Sequence, residues 1–150
     1  MAMTVVDPVF VDTNILIYSA AALSPFHANA VAKLQGLVTD GHPLWISRQV
    51  LREYLVAMSR PGTLTVAVPM TSLIADVQAF EARLNIAEDG ASVTGHLINL
   101  LGSISCAGKQ VHDANIVATM LAHGIKMLLT HNVADFNRFN ALITVMPLIP

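Results

Sequence analysis

Two kinds of apolar run alternate along the 150-residue chain. Short runs at residues 9–11, 44–46, 126–130 and 143–146 are rich in β-branched and aliphatic side chains and end at polar neighbours, which predicts buried strands. Between them, apolar residues recur every three or four positions. Phe26, Ala30, Leu34 and Leu37 keep that spacing until "TDGHP" breaks it at 39–43. Val50, Leu51, Tyr54, Leu55 and Met58 share one face of "SRQVLREYLVAMSR", and Leu73, Val77, Phe80 and Leu84 do so within residues 70–85 before "EDGAS". Each predicts a helix. Two more are expected at 93–104, where Gly95 and Gly102 weaken the pattern, and from about Asp113 to His123, with Gly124 placed to end the helix. "HNVADFNRF" reads as a loop.

Short strands alternating with helices imply an α/β fold, a mainly parallel sheet and right-handed crossovers. The length suits one domain spanning 1–150. Ligands of such folds sit at the carboxyl ends of the strands. Asp12 follows the first strand and Asp135 comes soon after the 126–130 strand, so both acids fall on that edge.

Composition narrows the class. The chain is 54 % hydrophobic and only 12 % charged, about half the usual charged share of roughly 25 %, which suggests a surface with a partner. Polar residues such as Asn14, Pro25 and His27 interrupt the long uncharged runs, so no transmembrane helix is expected. "MAMTVVDP" lacks a basic region followed by an apolar one, which points to the cytoplasm. The single cysteine, Cys106, excludes an internal disulfide and a cysteine-based zinc cluster and is expected to pack as a small hydrophobe. A net charge of −2 argues at first against nucleic acid as a partner.

The acids change that picture. Asp12 interrupts the apolar stretch "VFVDTNILIY", either as a helix cap or as part of a site. Glu53 lies on the rim of its helix's apolar stripe, as a solvated acid or one looking into a cleft. Asp113, in "VHDANIVATM", begins or nearly begins a helix, as a cap or as a ligand. If these three and Asp135 converge, each pair about 4 Å apart repels by about 4 kcal/mol at an effective dielectric near 20. Such a group needs a divalent cation or raised pKa values. Oxygen donors without cysteine favour Mg²⁺ or Mn²⁺, and phosphodiester cleavage is the chemistry such a site serves. Setting these four of the ten acids aside leaves six against eight Lys and Arg, a mildly basic remainder. Arg48, Arg52 and Arg60 lie on or beside the Glu53 helix and Lys109 precedes Asp113; Arg48 and Lys109 are the candidate phosphate contacts.

"FVDTNILIY", "SRQVLREYL", "VHDANIVATMLAHG" and "LLTHNVADFNRF" resemble, in order and spacing, the four acidic motifs of PIN-domain ribonucleases, and the length resembles the VapC-type toxins of bacterial toxin–antitoxin pairs. The resemblance implies a PIN-like three-layer α/β/α fold with a central, mainly parallel sheet. It implies that Asp12, Glu53, Asp113 and Asp135 bind the metal, with Thr13, Asn14, Thr130 and Asn132 lining the site. Many relatives carry an acid where this chain has Asn132; here Asp135 is taken as the fourth acid. The implied activity is hydrolysis of RNA assisted by Mg²⁺ or Mn²⁺, leaving a 5′-phosphate and a 3′-hydroxyl. The implied partners are RNA, a cognate antitoxin and a second copy in a homodimer. Helices bearing Phe26, Leu34, Leu37, Leu55 and Met58 are candidates for the antitoxin surface, and specificity is expected in loops such as 61–69.

Other classes fit less well. A silent PIN-like binding module would be expected to lose an acid, and all four are present. A zinc hydrolase would draw on His112 and His131, whose spacing matches no zinc motif. A receiver domain needs an Asp after a central strand, where "LWIS" ends in Ser47. A housekeeping RNA-processing nuclease is the nearest rival, and the bare domain length favours the toxin.

Overall fold

The computed structural model describes residues 6–60, 62 and 68–150. Five parallel strands, β1 (Val9–Val11), β2 (Leu44–Ser47), β3 (Asn85–Ala87), β4 (Met127–Thr130) and β5 (Thr144–Pro147), form one sheet in the order β3-β2-β1-β4-β5. The helices are α1 (Thr13–Ala20), α2 (His27–Thr39), α3 (Arg48–Ser59), α4 (Met70–Arg83), α5 (Ala91–Ser103) and α6 (Gln110–Ala122). Among the described residues no helix is long and apolar enough to cross a membrane.

The central strand is the most apolar and the most enclosed. Val9, Phe10 and Val11 are fully buried and pair with Leu44 and Trp45 on one side and Met127 to Leu129 on the other. Burying a side chain such as Phe10 or Leu128 contributes about 2–3 kcal/mol. From β1 the chain winds outward through α1 to α4 to reach β2 and then β3. It then crosses by α5 and α6 to β4, on the opposite side of β1. Right-handed crossovers therefore put α1 to α4 on one face and α5 and α6 on the other. The packing agrees: α1 rests on α2 and α3, α3 on α4, and α5 on α6. The expected three-layer α/β/α arrangement is the one observed.

The winding reverses between β1 and β4, and the crevice beyond their carboxyl ends is where such sheets bind ligands. Asp12 ends β1 there and Thr130 ends β4. Ser47 ends β2 and caps α3, its Oγ accepting a hydrogen bond from Val50 N at 3.4 Å.

Several local expectations differ from the structure. The edge strand β3 was not anticipated: it has three residues, too few for an alternating pattern, and follows α4 directly. The 131–139 loop contains a 3₁₀ helix, Val133–Phe139, which buries Phe136 and Phe139. α6 begins three residues before Asp113, because Gly108, at φ +58°, turns the chain and Gln110 Oε1 accepts a hydrogen bond from Ala107 N. Of the five residues put forward as an antitoxin surface, Leu37 and Met58 are buried, and Phe26, Leu34 and Leu55 are half-buried against the core. Cys106 also packs half-buried against the core. Most of the 61–69 loop and the first five residues lie outside the described residues.

Candidate functional site

Asp12 is held rigidly. Its Oδ1 accepts from Thr13 N at 2.8 Å, which makes it the N-cap of α1, and its Oδ2 accepts from Thr130 Oγ1 at 2.8 Å and Asn14 Nδ2 at 3.2 Å. The cap reading and the site reading thus describe one side chain. Asp12 N also donates to Leu129 O at 3.0 Å, tying the end of β1 to β4. Burial pushes the Asp12 carboxyl up from the ordinary 3.8 to about 6, and nearby Glu53 adds to this. Hydrogen bonds from Thr130, Thr13 and Asn14 pull the other way.

The surrounding polar residues form a frame. Asn14 Nδ2 donates to Thr130 Oγ1 at 3.2 Å, and Asn14 Oδ1 accepts from His131 N at 3.1 Å. Asn132 N donates to Thr130 Oγ1 at 3.1 Å. The structure thus places Thr13, Asn14, Thr130 and the Asn132 backbone around Asp12; the Asn132 side chain is exposed.

Glu53 reaches this frame from α3. Its Oε2 accepts from Thr13 Oγ1 and its Oε1 from Gln49 Nε2, both at 2.8 Å. Gln49, which sequence reasoning passed over, is buried. It also donates to the carbonyl of His112 at 3.0 Å and accepts from Asn115 Nδ2 at 2.8 Å. Its position four residues before Glu53 on one helix was the available signal.

Asp113 lies in the first turn of α6 and is not the N-cap, a place taken by Lys109. Its carboxyl is raised from 3.8 to about 6, first by burial and then by the charges of Asp135, Asp12 and Glu53; Arg138 opposes the shift. Those couplings show that acids from four elements share one electrostatic neighbourhood. In the last motif, Asp135 is exposed and its charge bears on Asp113. Arg138, one turn beyond Asp135 and donating to Ser105 O at 2.8 Å, was not singled out from the sequence.

The two candidate phosphate contacts stand apart from this cluster. Arg48 is clamped between Glu81 and Glu88, donating to Glu88 at 2.6 and 3.1 Å, so its charge is already answered. Lys109 is exposed at the start of α6.

Among the described residues, no three His, Cys, Asp or Glu side chains close into a ready-made metal shell. The donor set nevertheless fits a hard divalent cation. All the donors are oxygens, two of the acids are held near 6 by burial and mutual repulsion, and Mg²⁺ keeps several waters that can bridge to carboxylates out of direct reach.

Comparison with known proteins gives three findings. The family model for the PIN domain matches residues 9–142. Ribonuclease VapC48 of Mycobacterium tuberculosis is 22 % identical over 133 residues, covering 87 % of this chain and 91 % of the relative. Solved structures also share the fold. VapC20 of Mycobacterium tuberculosis, described as a sarcin-ricin loop cleaving toxin, has a TM-score of 0.65 and 17 % identity over 91 % of this chain and 96 % of its own. A toxin–antitoxin complex from Klebsiella pneumoniae has a TM-score of 0.64 and 20 % identity over 91 % and 96 %.

Proposed function

The chain belongs to the PIN domain family, and from that premise we propose that it is a metal-dependent endoribonuclease that hydrolyses RNA phosphodiester bonds as the toxin of a toxin–antitoxin pair. The observation that carries this reading is the hydrogen-bonded frame that holds the Asp12 and Glu53 carboxylates through Thr13, Asn14, Gln49 and Thr130 beyond the carboxyl ends of β1 and β4, with Asp113 near enough to feel both charges. The ribonuclease relative and the structural kinship with toxins support the choice of RNA.

Asp12, Asp113 and Asp135 would hold Mg²⁺ or Mn²⁺, with Glu53 binding directly or through water. The bound ion supplies charge neutralisation at the phosphate and a water acidic enough to attack near neutral pH. The remaining work falls to the chain. Thr130, Asn14 and the Thr13 N–H fix both Asp12 oxygens. Thr13 and Gln49 each take one lone pair of Glu53, leaving others with which Oε1 or Oε2 can accept a proton from the attacking water. No protein nucleophile is needed. The reading includes a cognate antitoxin, a homodimer and a cytoplasmic setting. Exposed apolar side chains such as Val38, Ile74 and Ile98 offer contact area for the protein partners.

The test is cleavage of a structured RNA pool by the purified protein in Mg²⁺, Mn²⁺ or EDTA, beside Asp12→Asn. Metal-dependent cutting that falls at least about 100-fold in the variant is expected, with 5′-phosphate products. Intact RNA with both proteins, together with no calorimetric binding of either ion, overturns the reading.

A further inference from the structure

A cleft of about 460 Å³ opens between α3, α5 and α6, and Glu53 and Gln49 form part of its wall. It is therefore continuous with the acid cluster. Arg52 and Val56 line it from one stripe of α3, four residues apart, and Arg60, the residue that caps the end of that helix, lines it further along. Across from them stand Leu97 of α5 and Asn115 of α6.

We propose that this cleft seats the RNA strand beside the scissile phosphate, Arg52 and Arg60 holding backbone phosphates and the apolar wall taking the face of a base. This rests on the ribonuclease reading and adds the path of the substrate. Charge argues for it. Both arginines are exposed, and among the described residues neither forms an ion pair, whereas Arg48 on the same helix is clamped by two glutamates. Guanidinium groups left unanswered at the mouth of an acidic site draw a polyanion to it. Chemistry argues for it as well. A nucleotide joins an anionic group to a flat apolar one, and the cleft offers Arg52 and Arg60 for the first and Val56 and Leu97 for the second. Its volume lies within the usual range of roughly 300–1,000 Å³ for ligand sites.

The experiment uses fluorescence anisotropy with labelled single-stranded RNA of mixed sequence. The Asp12→Asn chain is compared with the same chain carrying Arg52→Ala and Arg60→Ala, and with a control carrying Lys126→Ala, at the amino edge of the sheet. The double arginine change is expected to weaken binding at least tenfold and to flatten the slope of log K against log salt by about 1.4, roughly 0.7 for each phosphate that is no longer neutralised. Lysine at both positions restores the slope. Added to the otherwise unaltered chain, the alanine pair raises KM for RNA cleavage more than it lowers kcat. Unchanged affinity and slope overturn the assignment and leave the cleft to a polypeptide such as an antitoxin segment. The two readings fail separately. A chain that binds RNA through these arginines without cutting it keeps the cleft and loses the nuclease. A chain that cuts RNA with the arginines dispensable does the reverse.

Discussion

Gln49 joins two acids that belong to different helices. One Nε2 bonds both Glu53 Oε1 and the carbonyl of His112, the residue before Asp113, while Oε1 takes the Asn115 amide. The distance between the α3 acid and the α6 acid is thus set by one buried side chain. Gln49→Met, close in shape but unable to hydrogen-bond in this way, removes three partly buried hydrogen bonds, although Asn115 keeps its bond to Asp89. A hydrogen bond contributes about 1 kcal/mol net, and a loss of about 1–3 kcal/mol is expected in urea unfolding. Because Glu53 then samples other rotamers, cleavage is expected to show about a tenfold fall in kcat with a smaller change in KM, in line with the cost of lost positioning. Unchanged kcat would reduce Gln49 to a packing residue.

At the scale of elements, the residue after α6 and the last turn of α2 give opposite answers to the same substitution. Gly124 follows α6 at φ +68°, and a Cβ built there meets nothing within 4 Å, so only the backbone opposes a side chain. Gly124→Ala is expected to cost about 1–2 kcal/mol, the penalty for an L-residue in the left-handed region. Gly36 sits inside α2 with equally open space. Gly36→Ala is expected to add roughly 0.5–1 kcal/mol, and paired thermal melts check both signs. Gly124 could be placed from the sequence because helix ends carry local chemistry, and the strands β1, β2 and β4 could because their apolar runs are short and bounded. β3 could not, since three residues with an exposed Asn85 carry no period. Nor could the clamp on Arg48. Its glutamates lie 33 and 40 residues away, and only the pairing of β2 with β3 and the packing of α3 on α4 bring them near. The four acids could be proposed as a set because each sits in a motif, whereas Gln49 and Arg138 carry no motif and emerged from packing.

For the whole molecule, the cost of the site shows as a dependence on pH. Asp12 and Asp113 hold their protons up to about 6 when folded, against the ordinary 3.8. Between those values the folded chain binds more protons than the unfolded one, so the stability of the metal-free protein falls as pH rises through that window. Each tenfold change in acidity is worth about 1.4 kcal/mol, which makes the Asp12 contribution about 3 kcal/mol; the half-buried Asp113 adds less, being screened by water. In EDTA the melting temperature is therefore expected to drop between about pH 4 and pH 7, against the usual behaviour of proteins whose acids are paired. A divalent cation reverses the sign, because it binds the ionised carboxylates of the folded state alone. At about 100 times its Kd it adds about 2.7 kcal/mol, a rise of roughly 5–10 °C for a domain of this size. That rise is expected at pH 7, to shrink below pH 6, and to be lost in Asp12→Asn. The variant's metal-free form is in turn expected to melt higher than the original at pH 7. A metal-free melting temperature that climbs steadily from pH 4 to 7 would mean that the acids are not held together against their charge, and the proposed cation site would fall with them.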